Sequence, residues 1–202
     1  MKSTKREHPM MKSSGATTSL WMATAEIPSR PPLTKDMTAD VCVVGAGIAG
    51  LTTAYLLVDE GRSVVVLDDG GIASGETSRT TAHLVTALDD RYFALENLHG
   101  EKGARLAAES HRSAIDRIEA IMAREKIDCE FERLDGYLFA PPGESSEVLD
   151  KELAAAHRAG LTDVERVARA PLQAFDTGPL SAVSAPGAVS SAEVSGRFGA
   201  CD

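Results

Sequence analysis

The hydrophobic pattern of the chain begins at residue 41. Val41-Cys42-Val43-Val44 is a short unbroken apolar run rich in β-branched residues, which predicts a strand buried on both faces. Apolar positions then recur with helical period over Ala49–Glu60, and Gly61 ends that helix. A second apolar run, Ser63–Leu67, predicts a second strand, and Gly70–Thr81, dense in Gly, Ser and Thr, a loop. Two helices are expected next, about Leu84–Leu98 and Gly103–Lys126. In the second, Ala107, His111, Ile115, Ile118 and Met122 share one face, so His111 reads as a packed or half-exposed histidine rather than a ligand. Strands are expected at Cys129–Leu134 and Gly136–Ala140, closed by Pro141-Pro142-Gly143. A helix over Ser146–Ala159 ends at Gly160, and Asp163–Val167 is a short strand.

The two ends carry no such pattern. Residues 1–38 are polar and broken by Pro9, Pro28, Pro31 and Pro32, which predicts a disordered leader in which only Leu20, Trp21 and Met22 can dock on a folded body; Met10, Met11 and Met22 are alternative starts. From Leu180 onward Ser and Ala make up ten of the last 23 residues and charges nearly vanish, the composition of a tail that packs no core.

Composition narrows the function classes without choosing one. With 202 residues, 43% of them hydrophobic and 25% charged, the chain is long enough for one domain, or one with a partial second. A chain of this length can bury roughly 70% of its unfolded surface. A net charge of −9 argues against nucleic acid or an anionic membrane surface as the main partner. Cys42, Cys129 and Cys201 are far apart and odd in number. No CxxC and no Cys/His pair at metal-ligand spacing occurs, so no metal site is expected, and Cys42 and Cys129 read as small core hydrophobes in a reduced compartment. No run approaches the ~18 apolar residues of a membrane span, and Met1–Gly15 lacks the apolar core of a signal peptide, which makes the cytoplasm the default location.

The chemistry is carried by Val43-Val44-Gly45-Ala46-Gly47-Ile48-Ala49-Gly50, a GxGxxG at the end of a strand and the start of a helix. Gly45 permits the tight turn, Gly47 lets the backbone approach a pyrophosphate, and Gly50 allows close packing of helix on strand. The free N–H groups of Gly47, Ile48, Ala49 and Gly50 at the positive helix end then face the phosphates. Strand two delivers Asp68 about twenty residues later, where a carboxylate accepts hydrogen bonds from the adenosine ribose; Asp69 is the rival for that role. These signals together predict a dinucleotide-binding βαβ unit over Ala39–Asp69, and they do not separate FAD from NAD.

The stretch Ala39–Leu84 resembles the amino-terminal part of FAD-dependent oxidoreductases of the glycine/D-amino-acid oxidase (DAO) type, most of all a bacterial branch whose full-length members end in a Rieske domain. The resemblance rests on Asp40–Gly45, on Leu51–Leu57, on Val64–Asp68 and on Ser74-Gly75-Glu76-Thr77-Ser78-Arg79-Thr80-Thr81-Ala82-His83-Leu84. It continues through Leu134–Phe139 to Phe175–Pro179. It implies FAD as cofactor and places Ser78, Arg79, Thr80 and Thr81 along the ribityl chain and pyrophosphate. Arg79 and the hydroxyls suit that task, although a solvated polar loop reads equally well. His83 falls near the flavin ring or is structural.

The expected architecture is thus α/β: a Rossmann-type βαβ unit with added helices and an incomplete second substrate domain. The expected division is a leader, 1–38; the amino-terminal part of a FAD-binding domain, 39–179; and an unstructured tail, 180–202, compatible with a one-base frameshift near Pro179. The resemblance implies oxidation of a C–N bond in an amine or amino acid, a small-molecule substrate. An NAD-linked dehydrogenase and a non-catalytic nucleotide-binding remnant stay open beside it. No catalytic acid, base or nucleophile stands out, which discriminates nothing where a flavin takes the hydride, and no iron–sulfur ligand set is present. The resemblance implies that the ring contacts and substrate pocket come largely from sequence that would follow Pro179, so the chain as written is expected to bind FAD weakly and to turn over no substrate.

Overall fold

A computed structural model of the chain describes residues 18–129, 131–140, 145–168 and 182–189. It divides into two compact units, residues 1–80 and 81–202.

The first unit is built on two parallel strands, β1 (Val41–Val44) and β2 (Val64–Leu67), joined by helix α2 (Ile48–Asp59). A short helix α1 (Leu20–Thr24) precedes them, and a 3₁₀ turn, Glu76–Arg79, follows β2. Register is set next to the strands: the Asp40 carboxylate accepts the Ser63 N–H (2.8 Å) and hydroxyl (2.7 Å), and the Ser63 hydroxyl accepts the Asp40 N–H (2.9 Å). Val41 then pairs with Val64 and Val44 with Leu67. The chain also corrects two expectations. β1 is not buried on both faces: Val41 and Val43 are half-buried whereas Cys42 and Val44 are exposed, because α2 covers one face of a sheet that has two strands among the described residues. Cys42 is accordingly an exposed free thiol and not a core residue. Within the leader, residues 20–24 are helical rather than disordered, Ser19 capping α1 by accepting the Met22 N–H.

In the second unit, helix α3 (Tyr92–Glu125) is followed by β3 (Arg133–Phe139), α4 (Glu147–Arg158), β4 (Glu165–Val167) and β5 (Ala182–Val189). The two helices expected before residue 126 are one run interrupted at Gly100, whose φ of +71° only glycine adopts readily. The first begins at Tyr92 rather than Leu84, and Leu88, expected in the helix, reaches the core from the preceding loop. Helix α3 packs on α4 through Ala104, Ala108, Leu149, Ala155 and Ala156. No side chain of its own caps α3; buried Glu152 of α4 does so, its carboxylate accepting the N–H groups of Tyr92 (3.0 Å) and Phe93 (3.3 Å). His111 is exposed, its Nδ1 3.2 Å from the Val85 carbonyl.

The largest departure is β5, which falls in the stretch expected to form no structure. It is the central strand of an antiparallel sheet of order β3-β5-β4, with Ala182 and Ser184 buried. Ala182 and Ser184 are small residues two positions apart on a strand that packs against α4, and backbone pairing on both edges supplies what the composition lacks. The register shifts between Leu134 and Gly136, opposite Pro186 and Gly187, so the proline, which has no N–H to give, sits at the irregularity. That bulge also makes one strand of the two expected around Asp135.

Candidate dinucleotide site

The glycine turn of the first unit is shaped as its three glycines demand. Gly45 has φ +101°, and its N–H donates to the Leu67 carbonyl (2.8 Å), fastening the turn to β2. A Cβ on Gly50 would lie 1.9 Å from the Gly45 carbonyl oxygen and 3.3 Å from Val43 Cγ1, so the helix can sit this close to turn and strand only without a side chain. Gly47 caps α2 with extended backbone; a Cβ there would face the Thr77 hydroxyl at 3.2 Å.

The N–H groups at the mouth of α2 are not all free, as the sequence implied. The Ile48 N–H donates to Thr77 Oγ1 (2.9 Å), whereas those of Ala49 and Gly50 have no intrahelical acceptor. Thr77 lies on the 3₁₀ turn that carries Ser78 and Arg79, and nothing in the local sequence signals this role for it.

Asp68 is tied into the same turn. Its Oδ2 accepts the Ala46 N–H (2.6 Å) and its Oδ1 the Gly70 N–H (2.8 Å), and these two bonds, Ala46's first, hold its carboxyl below the usual carboxylate range. Each oxygen keeps a lone pair for a further donor. Asp69 follows on the exposed loop. The Ala73 N–H donates to the Ala46 carbonyl (2.9 Å), so the loop after β2 also closes on the glycine turn.

The Ser78 hydroxyl turns inward to the Gly75 carbonyl (2.9 Å). The Nε of Arg79 is buried with no protein acceptor, a placement a cationic N–H tolerates only when an anion or polar group completes it. The Ser78 carbonyl accepts the Ser19 hydroxyl, and the Thr80 carbonyl accepts the Trp21 indole N–H (2.8 Å). The sequence marked Trp21 as able to dock on a folded body, but not where, and gave Ser19 no role. Thr81 begins the second unit, its hydroxyl 3.0 Å from Nδ1 of His83.

The turn therefore offers a Cβ-free cradle, open helix-mouth N–H groups, an anchored carboxylate and an arginine whose buried Nε has no protein acceptor. A match to the family model described as FAD dependent oxidoreductase covers residues 40–193. The chain belongs to this DAO family. The match runs past Pro179, where the resemblance was expected to end, and takes in β5. Among curated relatives, YhfW of Bacillus subtilis (strain 168), named for a Rieske 2Fe-2S iron–sulfur protein, is 33% identical over 141 residues, 70% of this chain and 28% of the relative. Gamma-glutamylputrescine oxidoreductase of Escherichia coli (strain K12) is 32% identical over 99 residues, 49% of this chain and 23% of that protein. The chain thus spans about a quarter of the length of these relatives.

Solved structures show the same fold. L-amino acid deaminase from Proteus vulgaris superposes with a TM-score of 0.60 at 20% identity, covering 82% of this chain and 37% of that one. Glycine oxidase from Geobacillus kaustophilus gives 0.58 at 18% identity, over 75% and 40%. The α/β architecture is therefore that of DAO-type flavoproteins, and FAD is the family's cofactor.

The second unit has a cleft of about 340 Å³ lined by Thr86, Arg112, Ile115, Asp116, Arg133, Leu134, Asp135 and Asp163. Its arginines are already paired, Arg112 with Asp163 (2.8 Å) and Arg133 with Asp116 (2.6 Å) and Glu119 (2.7 Å). None of the candidate cofactor-binding residues lies in it. No group of three or more His, Cys, Asp or Glu that could hold a metal occurs among the described residues, and no helix there is long and apolar enough to cross a membrane.

Proposed function

We propose that this chain holds the ADP half of FAD and that the protein it represents oxidises a C–N bond of an amine or amino acid. The observation that carries the reading is the glycine turn with Asp68 fastened to its Ala46 N–H, beside a 3₁₀ turn bearing the unpartnered Arg79 Nε. The comparisons point the same way: one relative is named for gamma-glutamylputrescine, and two solved enzymes of this fold are named for L-amino acids and glycine.

Bound flavin would supply the hydride acceptor, so the protein needs no nucleophile of its own. Gly45, Gly47 and Gly50 keep the turn free of side chains, and the N–H groups of Ala49 and Gly50 face a diphosphate, with the Ile48 N–H held by Thr77. Arg79 neutralises diphosphate charge through its buried Nε, and the hydroxyls of Thr80 and Thr81 bond the ribityl chain, with Ser78 lying alongside. Asp68, rather than Asp69, accepts the ribose hydroxyls, since it alone is locked to the glycine turn. A small-molecule substrate and a cytoplasmic location complete the proposal.

Gly47→Val tests it, because the added side chain fills the space the diphosphate needs. FAD and ADP titration should show binding to the parent chain and none to the variant, with the circular dichroism of the two alike. Equal affinity in both would refute the site.

A further inference from the structure

The α1 segment is fastened to the chain on either side of Arg79. The Ser19 hydroxyl donates to the Ser78 carbonyl and the Trp21 indole N–H to the Thr80 carbonyl, so one bond lies on each flank of the arginine. The two anchors are coupled to the helix between them. The same Ser19 hydroxyl accepts the Met22 N–H (3.2 Å) and so caps α1, and formation of α1 presents the Trp21 indole. Glu76–Thr80, by contrast, is a single 3₁₀ turn and a half-exposed stretch with little apolar anchorage.

We infer that Ser19–Thr24 is a strap that pre-orders the Ser78–Thr80 loop for the dinucleotide, with Ser19 and Trp21 as positioning residues. The inference rests on the dinucleotide reading above. Fixing the backbone of one residue costs about 1–2 kcal/mol, and a loop already fixed does not charge that cost to ligand binding. Three features point to a positioning role rather than mere packing. Both bonds run to carbonyls of the loop and none to the core. They bracket the one residue, among the described residues of the unit, with a buried unpartnered cationic nitrogen. α1 itself contains no buried residue, so it contributes little to the core.

Trp21 is the sole tryptophan of the chain, which makes the strap directly visible. The whole chain is compared with Trp21→Phe, which keeps the ring and loses the N–H, with Ser19→Ala, and with Ser19→Thr, which restores the hydroxyl. Each lost bond should weaken FAD affinity between about twofold and tenfold, Ser19→Thr should recover it, and the melting temperature of the ligand-free chain should not move. Trypsin should cut after Arg79 faster in ligand-free Ser19→Ala and Trp21→Phe than in the parent chain. FAD should quench Trp21 emission in the parent chain but not in Gly47→Val.

A parent chain that binds FAD, loses it in Gly47→Val and keeps full affinity in Ser19→Ala and Trp21→Phe overturns the strap and leaves the site standing. A drop in melting temperature that accounts for the lost affinity overturns it as well, since α1 would then be a structural prop. A parent chain with no affinity for FAD or ADP overturns the dinucleotide site and the strap with it.

Discussion

Gly50 shows how narrowly the nucleotide turn is built. A methyl group there would meet the Gly45 carbonyl oxygen at 1.9 Å, and that oxygen is backbone that cannot swing away. Gly50→Ala should therefore destabilise the first unit by about 1–3 kcal/mol, read as a lower urea midpoint at unchanged slope. Asp68 gives a prediction in pH. Its pKa lies below the ordinary 3.8, so its hold on the Ala46 and Gly70 N–H groups is complete above that value and is lost as pH falls through the lowered one. Hydrogen-exchange protection of the Ala46 amide should fall on acidification below about pH 4 in the parent chain, and be low and flat in Asp68→Ala. The same substitution should weaken adenosine-nucleotide binding about tenfold or more; if Asp69→Ala does so instead, the ribose carboxylate is misassigned.

Among the elements, α3 depends on a neighbour for its start. Glu152 of α4 takes two N–H groups that the N-cap residue Arg91 does not cap, and it is only 8% exposed. Glu152→Ala leaves those donors buried and unmet, which should cost about 2–3 kcal/mol and unravel the first turn of α3, visible as a lower urea midpoint of the second unit. Tyr92, the first residue of that turn, donates its hydroxyl to the Thr86 carbonyl (2.5 Å). Burial first, and the nearby Glu152 charge second, push its pKa up to about 12 from 10.0. The unfolded chain therefore loses this proton before the folded one does. The stability it contributes is whole below pH 10 and declines progressively toward about 12. Tyr92→Phe should lower the midpoint at neutral pH by about 1 kcal/mol and remove this part of the alkaline loss.

At the scale of the molecule, the first unit keeps several large apolar side chains in water. Val44 is 84% exposed, and Ile48 and Val58 are more than half exposed on the adjoining helix. Exposed apolar surface of this kind favours association. Sedimentation velocity should show a weight-average mass that rises with concentration and falls back toward the monomer in Val44→Thr/Val58→Lys; a constant monomer mass would refute this.

How much of this was legible in the sequence differs between the two units. The glycine turn, α2, β2 and Asp68 were all readable, because turn conformation, helix period and strand-end position are local and glycine is forced wherever backbone crowds backbone. Helix α4 and its Gly160 terminus were readable for the same reason. Tertiary structure alone decided the rest. β5 owes its place to partners on both edges, which a Ser/Ala-rich run does not announce. Glu152 and the pair Ser19 and Trp21 act on residues about sixty positions away, and no periodicity encodes a bond across that distance. The exposure of Cys42 follows from how many strands the sheet contains and not from the apolar run in which it sits.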